Sequence, residues 1–251
     1  MSAASSRKAQ RASAGSEPDA LQAGGFVPLS TTDYPGRLAA VVFCQGCPWG
    51  CGYCHNPHLI PTAPACREQA PAWPDILARL SARRGLLDAV VFSGGEPLLQ
   101  RGLGAAMREV RALGFKVGLH TGGAYPERLE TVLPLCDWVG LDIKAPFARY
   151  DAVTGAPGSG ARARASLELL VQSGVSHECR TTVHRSLHPL HELLGLAEEL
   201  LLQGVECYVL QPFRAQGCRD ANLNAAHDAA ATAALLQRAA NVFPGVLTRP
   251  A

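Results

Sequence analysis

Cys47, Cys51 and Cys54 are separated by three and then two intervening residues within FCQGCPWGCGYCHNP, Phe43 to Pro57. Cysteines clustered this closely are metal ligands or redox groups, and a short loop can turn three thiolates toward one centre. Three ligands leave one position unfilled, which suits a [4Fe-4S] cluster whose fourth iron takes a small chelating ligand. Zinc or plain structural cysteine is the alternative. Cys44 extends the string to CxxC-x3-CxxC. Structural zinc sites, however, usually space two such pairs by roughly 12 to 20 residues, and a gap of three would crowd four sulfurs on one loop.

Further along, VVFSGGEPLL places Gly94 and Gly95 at the end of an apolar run. There a missing Cβ lets a ligand approach the backbone, and the carbonyls can meet a cationic amine. A simple strand-to-helix turn is the plainer reading. In GLDIK, Asp142 and Lys144 alternate with Ile143, so both charges face one side, where Lys144 can meet a carboxylate or a ribose oxygen. The plainer reading there is a solvated strand end. Arg180 suits a bidentate contact with a carboxylate, or equally a surface ion pair. His55 and Asn56 follow the last cysteine and are placed to orient its loop by hydrogen bonds. His184, His188 and His191 straddle a strand end and a helix start without a carboxylate partner, and are read as structural or surface residues.

These residues need a scaffold. Apolar runs predict strands at Leu38 to Phe43, Ala89 to Phe92, Lys116 to His120, Trp138 to Ile143, Cys179 to His184 and Cys207 to Leu210. Helical patterns lie near Pro74 to Arg84, Leu103 to Leu113, Pro126 to Leu133, Ala161 to Ser173, Pro189 to Gln203 and Ala225 to Asn241. Six alternations of this kind, with no internal repeat, predict an α/β fold built on a parallel sheet, a partial (β/α)6 barrel. Ligands of such sheets bind outside the carboxyl ends of the strands, where the cysteine loop falls. Met1 to about Gly24 has almost no large apolar side chains and reads as a disordered tail, leaving one domain over residues 25–251.

The chain has 251 residues, is 47% apolar and carries a net charge of +2. That charge is too small and scattered to form a footprint for nucleic acid or membrane. No apolar run approaches the roughly 20 residues of a membrane span, and no signal-peptide pattern opens the sequence, so a cytoplasmic protein is expected. Nine cysteines, an odd number, argue against a disulfide framework. Cys66, Cys136, Cys179 and Cys207 read as small core residues, and Cys218 as an isolated thiol in a polar loop.

Cys47-Pro-Trp-Gly-Cys51-Gly-Tyr53-Cys54 resembles the CxxxCxxC signature of the radical S-adenosylmethionine superfamily, with Tyr53 at its aromatic position. More narrowly, the segment from Ser30 to Pro57, with DYPG before the first strand and CHNP after the cysteines, resembles activating proteins of anaerobic ribonucleoside-triphosphate reductase. SGGEP (Ser93 to Pro97), DIK (Asp142 to Lys144), RTTVHR (Arg180 to Arg185) and LQPF (Leu210 to Phe213) extend the likeness over roughly Phe26 to Phe213.

The resemblance implies one [4Fe-4S] cluster on Cys47, Cys51 and Cys54, and S-adenosylmethionine held by Tyr53, Gly94, Gly95, Glu96, Asp142, Lys144, Arg180 and Gln211. Glu96 and the glycines would take the amino group, Arg180 the carboxylate, and Gln211 the ribose or adenine. It also implies reductive cleavage of that cofactor to methionine and a 5′-deoxyadenosyl radical, which would install a glycyl radical on the reductase. A flavodoxin- or ferredoxin-type protein would donate the electron. With only Cys66 between Cys54 and Ser93, no second-cluster insertion is expected. LHTGG at His120 departs from the family, which usually carries an acidic residue and an asparagine there, so a cation or cofactor contact from that strand is left open. Two other readings stand beside this one: a radical enzyme acting on a small molecule, such as a deazapurine-forming synthase, and a non-catalytic metal-binding protein.

Overall fold

The apolar runs become strands of one eight-stranded sheet whose spatial order follows the chain. The structure, a computed structural model, describes residues 20–63, 70–243 and 245–249. β1 (Ala23–Ser30) lies antiparallel to β2 (Ala39–Cys44). From β2 onward the pairing is parallel through β3 (Ala89–Gly94), β4 (Lys116–Thr121), β5 (Trp138–Asp142), β6 (His177–Val183), β7 (Tyr208–Pro212) and β8 (Val246–Thr248). β1 and β8 do not pair with each other, so the barrel is incomplete.

The crossovers carry α1 (Trp73–Ser81), α2 (Leu103–Ala112), α3 (Pro126–Val132), α4 (Tyr150–Thr154), α5 (Ser159–Ser173), α6 (Leu190–Leu202), α7 (Ala221–Ala225) and α8 (Ala229–Val242). Their sequences explain their ends. α1 opens with Pro74 and Asp75 in its first turn and buries Trp73, Ile76 and Leu80, one stripe of a helix. Gly174, at φ 68°, stops α5, and the Asp228 carboxylate accepts from Ala231 N to start α8. No helix among the described residues is long and apolar enough to cross a membrane.

All six strands expected from the sequence are present. β1 and β8 were not foreseen: AGGFVPLS holds two glycines and a proline, which dilute a strand pattern, and β8 has three residues. The expected tail also ends too late. Residues 1–19 lie outside the described residues, but Leu21 is buried, and Gln22 donates to Gln100 Oε1 while its carbonyl accepts from Gln45 N. One apolar anchor and two hydrogen bonds place the chain before Gly24.

Alternation sorts the strand residues onto two faces. Ala40, Val42 and Cys44 of β2 pack under the helices in the main core, whereas Ala39 and Val41 join Ala89, Val91, Trp138 and Tyr34 in a second cluster on the concave face. Tyr34 belongs to the DYPG segment. Its ring lies 5.3 Å from that of Trp138, and a Cβ on Gly118 would sit 3.1 Å from it. The loop between β1 and β2 thus fills the amino-terminal half of the concave face, and polar residues are left to line the carboxyl half.

Candidate active site

The carboxyl ends of β2 to β7 surround a cavity of about 200 Å³. The loop after β2 brings Cys47, Cys51, Tyr53 and Cys54 to its wall. The end of β3 contributes Gly94, Gly95 and Glu96; the end of β5, Asp142 and Lys144; β6 and β7, Arg180 and Gln211. The fold therefore gathers into one cavity residues spread over more than 160 positions of sequence.

Cys44 does not line this cavity. It is fully buried on the helix-packed face, and burial, helped by Glu96, lifts its thiol far above the ordinary value. The four-cysteine string is thereby split between two faces of the sheet. Among the described residues no three His, Cys, Asp or Glu converge as a single-ion site requires. Three thiols spread along one cavity wall fit a four-iron cluster, in which each cysteine takes a different iron. Burial is the main cause that pushes the free Cys47 thiol up to about 12, and it raises Cys51 as well. Coordination displaces such protons.

The two glycines at the end of β3 are required for a reason other than the one expected. A Cβ on Gly95 would lie 2.2 Å from Gly46 O and 2.8 Å from Leu59 O, and one on Gly94, whose φ is 119°, would lie 2.3 Å from Cys44 N. The space a Cβ would take is filled by the chain's own cysteine loop, while other atoms of both glycines still line the cavity. Glu96 N donates to Gly46 O at 2.8 Å and Gly95 N to Cys44 O at 3.0 Å, joining the loops. The Glu96 side chain, 2% exposed, accepts from Thr121 Oγ1, Leu98 N and Gly122 N at 2.7, 3.0 and 2.9 Å. Burial raises its pKa against the opposing pull of these bonds.

Arg180 is buried, which excludes the surface ion pair considered from sequence. Its Nε and Nη2 lie 2.9 and 2.8 Å from Asp142 Oδ1. Lys144 Nζ sits 3.9 Å from Asp142 Oδ2 and 5.8 Å from the ring centroids of both Trp49 and Tyr53. Burial alone would raise the Asp142 pKa, but Arg180 and then Lys144 bring it below the ordinary carboxylate value. The Tyr150 hydroxyl clips the end of β5, accepting from Lys144 N at 2.9 Å and donating to Asp142 O at 3.1 Å.

His120 also faces the cavity. Burial first, and Arg180 next, lower its pKa to about 3, so it is neutral. Its Nε2 donates to Asp33 O at 2.8 Å, which leaves Nδ1 facing the Ser93 hydroxyl at 3.4 Å. The departure noted at LHTGG therefore anchors the loop between β1 and β2. Ser93, Thr182 and Trp49 line the cavity without having been singled out. Alternation would have found Thr182, two residues from Arg180 on β6; Trp49 carries no such signal.

His184 and His188 are buried structural residues, as expected. His188 accepts from His184 N and donates to Lys144 O, and the His184 nitrogens meet Leu223 O and Ser186 N. Cys136 and Cys179 are buried, Cys207 is half-buried, and Cys66 lies outside the described residues. Cys218 is half-buried rather than isolated, with Sγ 3.5 Å from Gly52 O.

The Radical SAM superfamily profile matches residues 41–196, more than half of the chain. A protein of Methanocaldococcus jannaschii, provisionally named a glycyl-radical enzyme activating enzyme, is 29% identical over 203 residues, covering 78% of this chain and 81% of that one. A 7-carboxy-7-deazaguanine synthase of Thermococcus kodakarensis is 32% identical, covering 51% and 49%, and a pyruvate formate-lyase-activating enzyme of Clostridium pasteurianum is 33% identical, covering 51% and 54%. The chain thus spans about half the length of the latter two. Among solved structures, Streptococcus suis SuiB bound to S-adenosylmethionine has a TM-score of 0.63 at 11% identity, covering 82% of this chain and 48% of its own. QueE from Escherichia coli has a TM-score of 0.58 at 18% identity, covering 92% and 94%. The chain belongs to the Radical SAM superfamily, whose cofactors are a [4Fe-4S] cluster and S-adenosylmethionine.

Proposed function

We propose that this chain installs a glycyl radical on a partner enzyme, and that the partner is an anaerobic ribonucleoside-triphosphate reductase. The observation that carries the reading is a second cavity of about 780 Å³ that adjoins the first and shares Ser93, His120, Asp142, Arg180 and Thr182 with it. Thr31 and Pro35 border it on one side, Arg214 and Arg249 on another. Space of that size beside the cofactor pocket suits a loop of polypeptide. Similarity to two activating enzymes supports the class of reaction, and the DYPG and CHNP segments support the reductase.

Bound together, the cluster and S-adenosylmethionine supply one-electron radical chemistry. In this reading Cys47, Cys51 and Cys54 hold the cluster. The Gly94 and Gly95 carbonyls and Glu96 receive the cofactor's amino group, Arg180 and Lys144 its carboxylate and ribose oxygens, and Gln211 its ribose or adenine. Gln211 Nε2 already donates to Thr182 Oγ1 at 3.0 Å, which fixes its amide. Tyr53 and Asp142 restrain Lys144 beside the cysteine loop. A flavodoxin- or ferredoxin-type protein delivers the electron.

The test is anaerobic incubation of the reduced, reconstituted protein with S-adenosylmethionine and the reductase. A doublet glycyl radical resonance is expected, with 5′-deoxyadenosine released, and alanine at the partner's radical glycine should remove the doublet. The 32% identity with a 7-carboxy-7-deazaguanine synthase over half of the chain favours a second reading, a small-molecule enzyme of the deazapurine synthase type. Cofactor cleavage without a glycyl radical, accompanied by a small-molecule product from cell extract, would transfer the assignment to it.

A further inference from the structure

Few of the hydrogen bonds that hold the cysteine loop come from the loop itself. Cys54 N donates to Cys51 O within it, but the carbonyls of alternate residues are taken by the segment that follows β7. Arg219 N donates to Cys54 O at 3.1 Å, Asp220 N to Gly52 O at 3.0 Å, and Arg219 Nη1 to Gly50 O at 2.8 Å. In the opposite direction His55 Nε2 donates to Arg214 O at 2.7 Å, and the His55 ring packs 5.6 Å from that of Phe213. The approach is close enough to demand glycine: Gly217 has φ 80°, and a Cβ on it would lie 2.9 Å from His55 O. Gly50, Gly52 and Cys54 bracket Cys51 and end on the last cysteine, so these bonds act on the part of the loop that sets where the thiols point.

We propose that residues 213–220 form a strap that fixes the cysteine loop, and that Arg219 is a positioning residue which both holds Gly50 and places a positive charge beside the cluster. The inference rests on reading Cys47, Cys51 and Cys54 as the cluster's ligands. Among the described residues no carboxylate forms an ion pair with Arg219. The adjacent Asp220 is engaged at the start of α7, where Oδ1 accepts from Asn222 N at 2.8 Å. Reduction adds negative charge to a cluster, so a nearby unpaired cation favours the reduced state, as net charge and hydrogen bonding near the sulfurs set such potentials. Arg219 is exposed, so that influence is screened by salt.

The experiment compares reconstituted wild-type protein with Arg219→Gln and Arg219→Lys, reading iron release to a chelator and the cluster's midpoint potential. Arg219→Gln should release iron roughly tenfold faster, the scale of one lost charge-assisted hydrogen bond, and should titrate at a more negative potential. Its difference in potential from wild type should narrow in high salt. Arg219→Lys, which keeps the charge and a donor, should restore the potential and most of the iron retention. Gly50→Ala adds a methyl 3.1 Å from Arg219 Nη1 and should reproduce part of the loss with the arginine intact. Unchanged iron release and potential in Arg219→Gln would overturn the strap. So would Arg219→Lys failing as badly as Arg219→Gln with the potential unmoved in both, since the contact would then be packing alone. A wild-type chain that takes up no iron would overturn the cluster assignment together with the strap.

Discussion

Arg180 on β6 grips Asp142 on β5 through two nitrogens, Nε and Nη2, that meet the same oxygen. The guanidinium has room to do so because Gly140 lies beneath it: a Cβ there would come 2.9 Å from Cζ. Two strands are thereby locked at the height of the cavity. Arg180→Lys cannot present two donors in that geometry and should cost roughly 1–3 kcal/mol in chemical denaturation, with Gly140→Ala failing in the same direction. Wild-type stability in both variants would mean that the pair is incidental.

Removing any one of Cys47, Cys51 or Cys54 as alanine should abolish iron uptake on reconstitution. Cys44→Ala, on the opposite face of β2, should keep its iron and lose only about 1 kcal/mol of stability. Iron analysis of the four variants decides the ligand set. Retained iron in Cys51→Ala with loss in Cys44→Ala would reverse it.

Gly95→Ala should damage the cluster and the fold together, because the added carbon strikes Gly46 and Leu59 backbone before it reaches any ligand. Iron content and melting temperature are the measurements. Normal values for both, with only the spectral response to S-adenosylmethionine lost, would restore the idea that the glycine makes room for the cofactor.

The pH profile of stability should carry a mark from His120. Its pKa falls from 6.5 in the open chain to about 3 when folded, so the folded protein binds fewer protons between those values. The associated stability is whole above pH 6.5 and is lost progressively as the pH falls toward 3, by up to about 1.4 kcal/mol per pH unit. His120→Gln removes this titration. The difference in unfolding free energy between wild type and variant should therefore slope downward with falling pH over that window, and a flat difference would refute the buried neutral imidazole.

The sequence declared the parts of the site better than the forces that assemble them. Short apolar runs mark β2, β3 and β5 most clearly because strands buried on both faces read as near-continuous apolar stretches, whereas β6, HECRTTV, carries polar residues, and the candidate site lies at the strands' carboxyl ends, where a parallel sheet places it. β1 was hidden because its glycines and proline carry no such pattern, although it supplies an edge of the sheet. The function of Gly95 could not be read from one strand end, since what crowds it arrives from residues 46 and 59. Nor could the hold of Arg219 on Gly50, a contact across 169 positions.

That crowding at Gly95 also limits how the molecule can be rebuilt. The cysteine loop and the turn after β3 occupy one another's van der Waals space, so neither is a portable module. Grafting the cysteine motif alone onto another sheet would bring ligands without the neighbour that shapes their backbone. Even β2 and β3 with both of their outgoing loops would leave behind Thr154 and the segment after β7, which take the loop's remaining hydrogen bonds, and variation in either loop is tolerated only as far as the other can follow.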